Sequence, residues 1–213
     1  MDVSADVRFS APLYTLQQVG QFLRVPRSTL VHWRPFVHHI EGSPRQAPSV
    51  TFIGMAEAYV LAAFRHAGIP LQRIRPAIEV LTNKIGLEHA LASRHLYTDG
   101  AEILYEWGDN QLAIVRNGQY VIRDILQEYL HLVTWDHDEY PTQLQLPTYQ
   151  QTTVIADPRR AFGQPIFERS GTRVEDVLER FWAGDDLQTI ALDYGLQVSD
   201  VEDAVRVASS RAS

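Results

Sequence analysis

The sequence predicts an α+β fold, mainly α: a winged helix-turn-helix, a small antiparallel β module and a C-terminal helix-turn-helix bundle. Three observations carry this expectation. Apolar residues repeat at helical spacing over residues 14–35, strand-like alternation replaces that spacing between residues 99 and 156, and helical spacing returns after Asp157-Pro158. With 213 residues, 45 % hydrophobic and 21 % charged, the chain is long and apolar enough to bury a core. No apolar run approaches the roughly 20 residues of a membrane-spanning helix. Met1-Asp2-Val3-Ser4 lacks the basic-then-apolar order of a signal peptide, so a soluble cytoplasmic protein is expected. The absence of cysteine excludes disulfides, thiolate metal sites and cysteine nucleophiles.

The first helix begins at a capping box, Thr15 with Gln18, in which each side chain satisfies a backbone amide; Leu16, Val19, Gly20 and Leu23 then line one face. Arg24 and Val25 make a tight turn. Pro26 presets the backbone for a second helix, whose buried stripe is Leu30 and Trp33 and which must end before Pro35. Gly20 is small where the two helices cross. Arg24 departs from the usual pattern, because glycine is favoured where φ is positive. A plain helical hairpin fits the same spacing.

Residues 40–52 read as a short strand pair around Gly42, Ser43, Pro44 and Pro48, which beside a helix-turn-helix is a wing. Residues 54–67 form an alanine-rich helix stopped by Gly68 and Pro70, and residues 71–85 another, with a break near Pro76. Residues 112–115 and 120–122 flank an Asn117-Gly118 turn as a hairpin, followed by a helix at residues 124–130. Two further strands, at residues 132–135 and 143–146, enclose an acidic loop. In the last segment Val174, Val177, Leu178, Phe181 and Trp182 share a helix face. Ala191, Gly195, Leu196, Val201 and Ala204 then repeat the offsets of Gly20, Arg24, Val25, Leu30 and Trp33. The expected domains are therefore residues 1–98, 99–156 and 157–213.

The net charge of −7 conceals segregation. Residues 7–94 hold ten Arg or Lys against four acids, residues 95–148 two against nine, and residues 149–213 seven against eleven. Only the first segment suits nucleic acid.

Tyr14-Thr15, the helix-turn-helix, the wing and the passage from Phe64-Arg65-His66-Ala67-Gly68-Ile69-Pro70 to Leu71-Gln72-Arg73-Ile74 together resemble the winged helix-turn-helix of MerR-type regulators, over about the first 85 residues. Asp157-Pro158, Gly163-Gln164-Pro165-Ile166-Phe167, Gly171-Thr172-Arg173-Val174, Ala183-Gly184 and Tyr194-Gly195-Leu196 resemble the small domain of unknown function carried by antitoxins. Taken together, the chain resembles VapB-type antitoxins of mycobacteria. The resemblance implies an antitoxin of a type II toxin–antitoxin module that binds operator DNA and neutralises a PIN-like ribonuclease toxin. The alternative is a MerR-like transcriptional regulator sensing a small ligand through the β module.

On the first recognition helix, Arg27, Ser28, Thr29, His32 and Arg34 are the candidate DNA-binding residues, with Arg45 in the wing and Arg73 or Arg75 beyond it; no acid occurs between residues 7 and 40. The second helix-turn-helix carries Asp200, Glu202 and Asp203, whose charge opposes a phosphate backbone, so it is read as a packing or partner unit with Val198, Val201 and Val205 as its apolar face. A PIN-type nuclease holds its metal with acids, so the resemblance makes Arg159, Arg160, Arg169 and Arg173 toxin-binding candidates; pairing with neighbouring acids is the other reading of each. His38-His39 and His137 are weak as metal ligands, and no metal or cofactor is expected. No phosphate loop, nucleophile elbow or zinc-helix motif appears, so no enzyme is expected. Trp33, Phe181, Trp182 and Tyr194 are read as core rather than as a ligand cage. A homodimer is expected, because one winged helix makes few base contacts.

Overall fold

The computed structural model describes residues 6–44, 47–83, 86–98 and 131–210. The expected hairpin at residues 112–122, the helix at residues 124–130 and Arg45 lie outside the described residues. The helices are α1 Val7–Ser10, α2 Leu16–Leu23, α3 Arg27–Trp33, α4 Phe52–His66, α5 Leu71–Asn83, α6 His95–Thr98, α7 Val174–Trp182, α8 Leu187–Tyr194 and α9 Val198–Ser209. A 3-10 turn, Arg34–Phe36, continues α3. The strands β1 Val133–Trp135, β2 Pro141–Gln145, β3 Val154–Ala156 and β4 Ile166–Phe167 form one antiparallel sheet in sequence order.

Helix α2 starts as its sequence dictates: Thr15 Oγ1 accepts from the Gln18 amide at 3.1 Å and Gln18 Oε1 accepts from the Thr15 amide at 2.9 Å. The chain then reverses through Arg24, which takes the left-handed conformation at φ 53° despite its side chain. Its guanidinium donates to the Thr148 carbonyl at 3.3 Å, a contact 124 residues away along the chain that glycine could not make. Gly20 is where α2 and α3 touch. A β-carbon there would stand 2.7 Å from the Val25 carbonyl oxygen and 3.2 Å from Leu30. Leu30 and Trp33 are buried in the joint, and burial of Leu30 contributes about 1.5–3 kcal/mol.

Helix α4 is the central element, buried nearly all round. Its start lies so close to the chain after α3 that a β-carbon on Gly54 would come within 2.0 Å of the His38 carbonyl oxygen. Helix α5 runs unbroken through Pro76, which is exposed, so the ring meets solvent and the expected break does not occur. The wing is also slighter than expected. Among the described residues, single bridges His39↔Val50 and Tyr14↔Val50 replace a strand ladder.

The sheet pairs Val133 with Leu144, Leu144 with Ala156 and Ile155 with Ile166. It thus takes strands from both sides of residue 156. β3 and β4 hold three and two residues, too few to show alternation, and all five are buried. In the C-terminal bundle Asp186 caps α8 by accepting the Gln188 and Thr189 amides, and Gly195 turns the chain in the left-handed region at φ 63°. Val177, Ile190, Ala191, Val201, Ala204 and Val207 fill the space between the three helices.

Polar contacts join the first segment to the rest of the chain, among them Arg94 with Glu139 and the Tyr140 hydroxyl donating to the Glu88 carbonyl at 2.6 Å. The buried Arg8 guanidinium pairs with Asp6 at 2.6 Å and with Asp138, Arg24 reaches Thr148, and the buried Tyr14 hydroxyl donates to the Gly163 carbonyl at 2.8 Å. One apolar core continues across these contacts.

Candidate nucleic-acid interface

Helix α3 presents a basic outer face. Arg27, Ser28, His32 and Arg34 are exposed, whereas Leu30 and Trp33 point inward. Thr29 is half-buried, and its hydroxyl accepts from Arg65 at 3.2 Å. The His32 ring stands 2.7 Å from the Ser28 carbonyl, one turn back, which holds the imidazole along the helix. Arg34 Nε donates to His39 Nε2 at 3.1 Å, and the other His39 nitrogen donates to the Val37 carbonyl at 2.9 Å. His39 therefore orients an arginine.

Two features of this face escape a reading of charge alone. Val31 is 51 % exposed between Ser28 and His32, an apolar spot of the kind that contacts a thymine methyl group. Arg65, at the end of α4, reaches α3 only after folding; Ser28, Thr29, His32, Arg65 and residues 69–72 share a groove of about 290 Å³ beside α3. Of the arginines placed beyond the wing, Arg75 pairs with Glu79 at 2.9 Å, while Arg73 has no ion pair among the described residues.

Behind this face, Glu57 of α4 is buried with both oxygens engaged: Oε2 accepts the His38 amide at 2.6 Å and Oε1 lies 3.3 Å from His89 Nδ1. Burial pushes the Glu57 carboxyl above its ordinary value. The His38 ring packs edge-on against His89, with centroids 4.5 Å apart, and its Nδ1 lies 2.9 Å from Thr51 Oγ1. Burial, aided by the neighbouring His89 and His39, lowers His38 to about 4. Neither His38 nor His39 joins a metal cluster, since no group of three or more histidines or carboxylates suited to a metal occurs among the described residues.

The arginines singled out in the acidic segment lie on two neighbouring turns and at the start of α7. Arg159 stands 3.6 Å from Asp136, and Arg173 pairs with Glu175 and, at 3.4 Å, with Asp176. Arg160 and Arg169 are exposed and carry no ion pair among the described residues. In the second helix-turn-helix, Asp203 turns inward: its carboxylate accepts the amides of Gln150 and Gln151 at 2.9 Å and of Thr152 at 3.3 Å, and pairs with Arg206. The apolar face expected there is not continuous, because Val201 is fully buried in the chain's own core and Val205 is half-buried. Trp33 is core, but Trp182 is 63 % exposed, because α7 ends there and Gly184 leads the chain away.

A tight helix-turn-helix with an outward face of arginine, histidine and serine defines a protein of the helix-turn-helix regulator class. Comparison agrees. Residues 30–78 match the family described as "putative DNA-binding HTH domain", and residues 154–208 match a family described as a protein of unknown function, DUF433. A protein of Mycobacterium tuberculosis strain H37Rv named "putative antitoxin VapB45" is 39 % identical over 235 residues, covering 96 % of this chain and 97 % of that one. The crystal structure of Rv2018 from Mycobacterium tuberculosis is similar with a TM-score of 0.78 and 37 % identity, covering 93 % of this chain and 99 % of that one. The chain belongs to the VapB45 antitoxin family. Among the described residues no helix is long and apolar enough to cross a membrane.

Proposed function

We propose that this protein is the antitoxin of a type II toxin–antitoxin module: it binds operator DNA through α3 as a cytoplasmic homodimer, and neutralises a PIN-like ribonuclease toxin through the segment after Asp157. It acts by binding, not by catalysis. The observation that carries the reading is the outer face of α3, where Arg27, Ser28, Val31, His32 and Arg34 stand exposed together and no acid lies between residues 7 and 40. Arginine forks match guanine edges or phosphates, the serine hydroxyl matches phosphate oxygens, and Val31 supplies the apolar contact. Arg65 adds a cation beside the helix. The relative named as an antitoxin supports the second half of the reading, and the arginines at positions 159, 160, 169 and 173 are its candidates for meeting a nuclease whose acids hold a divalent ion.

The test is fluorescence anisotropy of the full chain on DNA from upstream of its own gene. Affinity is expected to fall steeply with salt, and Arg27→Ala or Arg34→Ala is expected to cost about 1–3 kcal/mol where the guanidinium reads a base. Unchanged operator affinity in both variants, with unchanged melting, removes α3 as the reader.

A further inference from the structure

Residues 161–163 run against the grain of polypeptide geometry. Ala161, Phe162 and Gly163 have φ of 46°, 53° and 74°, three successive residues in the left-handed region that side chains other than glycine's avoid. The middle residue is also the most exposed large apolar side chain among the described residues, Phe162 at 85 %. Strain and exposure both oppose folding, and with 85 % of its surface open Phe162 recovers little of either by packing on its own chain. The surrounding framework holds the turn in place. The Gly163 and Gln164 amides donate to the carbonyls of Arg160 at 2.9 Å and Ala161 at 3.0 Å, and Tyr14 donates to the Gly163 carbonyl from a fully buried position. A β-carbon on Gly163 would stand 2.5 Å from the Tyr14 hydroxyl oxygen, so any other residue there must displace the buried tyrosine. Pro158 and Pro165 flank the turn and are buried.

The charge around this ring is basic in an otherwise acidic segment. Arg159 and Arg160 lie three and two residues before it; Arg159 faces Asp136 at 3.6 Å and its amide donates to the Asp157 carboxylate at 2.8 Å, so Arg160 is the cation without an ion pair there among the described residues. The Arg160 guanidinium lies 3.0 Å from where a Gly171 β-carbon would be, which brings it to the turn bearing Arg169. The one acid on that turn, Glu168, is met by the Gln143 amide at 3.3 Å.

We infer that the left-handed turn at residues 161–163 is a preformed anchor that seats Phe162 in an apolar pocket of a partner protein whose rim carries carboxylates, with Arg160 and Arg169 meeting that rim. An aromatic ring held rigid in its bound geometry loses little conformational entropy on docking, which is how a few aromatic and arginine residues dominate an interface. The inference rests on the antitoxin reading: the partner is the toxin. It shifts the centre of the toxin surface from the four arginines to the phenylalanine between them.

The experiment uses the purified full chain and the product of the gene adjacent to its own, which the antitoxin reading expects to be a PIN-like ribonuclease, with calorimetry for affinity, sedimentation for chain self-association and anisotropy for operator binding. Phe162→Ser and Phe162→Gly are expected to weaken toxin binding by about 30-fold or more, the loss typical of a hot-spot aromatic. Because glycine suits the left-handed backbone, Phe162→Gly is expected to melt at the wild-type temperature or above it. Phe162→Leu keeps an apolar knob and is expected to retain most of the affinity, and Arg160→Glu with Arg169→Glu to lose it. If the wild-type chain binds the nuclease and Phe162→Ser binds equally well, the anchor is overturned while the antitoxin reading stands. If the wild-type chain does not bind the nuclease, the antitoxin reading fails first and the anchor with it. If the Phe162 variants instead lose self-association or operator affinity, the ring serves a second copy or DNA, and the inference is wrong.

Discussion

Gly20→Ala tests whether the crossing of α2 and α3 sets the recognition face. In an isolated helix the change is favourable, because alanine is better than glycine by about 1 kcal/mol. Here the added β-carbon would meet the Val25 carbonyl oxygen at 2.7 Å, a contact that side chains do not hold, and the Leu30 side chain at 3.2 Å. Leu30 can adjust, but the Val25 carbonyl is backbone in the turn that launches α3, so relief requires α3 to move. Overpacking of this kind costs about 1–3 kcal/mol, so the net change is a destabilisation of up to about 2 kcal/mol after the helix gain is subtracted. Urea unfolding of Gly20→Ala against Gln21→Ala, an exposed site in the same helix, isolates the crossing from propensity. Operator affinity is expected to fall in Gly20→Ala alone, because Arg27 and Arg34 shift with α3. A variant about 1 kcal/mol more stable than wild type, with full operator affinity, refutes the close crossing and the argument built on it.

Tyr14→Phe removes the donor to the Gly163 carbonyl and leaves that oxygen buried without a partner; a loss of about 1–3 kcal/mol by urea unfolding is expected, and an unchanged midpoint excludes the hydrogen bond as a tie between the segments. His38 is held neutral by burial, with its pKa lowered to about 4 from 6.5, so the unfolded chain binds more protons than the folded one between those values. Stability from this group is present above pH 6.5 and is lost as pH falls toward 4. Buried Glu57, shifted upward, acts in the opposite sense. The difference between wild type and His38→Asn therefore reads His38 alone. Wild type is expected to lose ground against the variant as pH falls through that window, and parallel curves in urea melts from pH 7 to 4 refute it.

The N-terminal helix-turn-helix was legible because its determinants are local. Thr15 and Gln18 cap the helix they start, Gly20 and Leu30 meet across one turn, and Leu30 and Trp33 fall one helical turn apart. Even the departure at Arg24 could be read, since the turn needs a left-handed residue whatever its identity. Non-local features were not legible. Arg8 counts as a free cation in the sequence, yet it is buried between Asp6 and Asp138, the second of which lies 130 residues away. Asp203 appears as one acid among several but serves as acceptor for three amides in the loop at residues 150–152. Phe162 is marked in the sequence only by an adjacent glycine and nearby arginines, while its left-handed φ and its exposure belong to a turn tied to Tyr14, 149 residues from Gly163.

Charge segregation along the chain gains a different meaning once intramolecular pairs are removed. In the first segment Arg8, Arg75 and Arg94 face Asp6, Glu79 and Glu139 and Arg24 is held on the Thr148 carbonyl, which leaves Arg27, Arg34, Arg65 and Arg73 without an ion pair among the described residues. In the last segment Arg159 faces Asp136, and Arg173, Arg180 and Arg206 face acids of their own helices or the next, which leaves Arg160 and Arg169 without an ion pair among the described residues. Exposed pairs of this kind contribute little stability, about 0–1 kcal/mol each, but they cancel the local field. Among the described residues the cations without an ion pair therefore collect in two places: on and beside α3, and around the turn that carries Phe162. A net charge of −7 hides both. Over the described surface an acidic chain with two small unpaired basic sites disfavours phosphate and carboxylate elsewhere, so the same segregation directs the proposed binding to the two surfaces where the backbone has also placed an exposed apolar side chain, Val31 at one and Phe162 at the other.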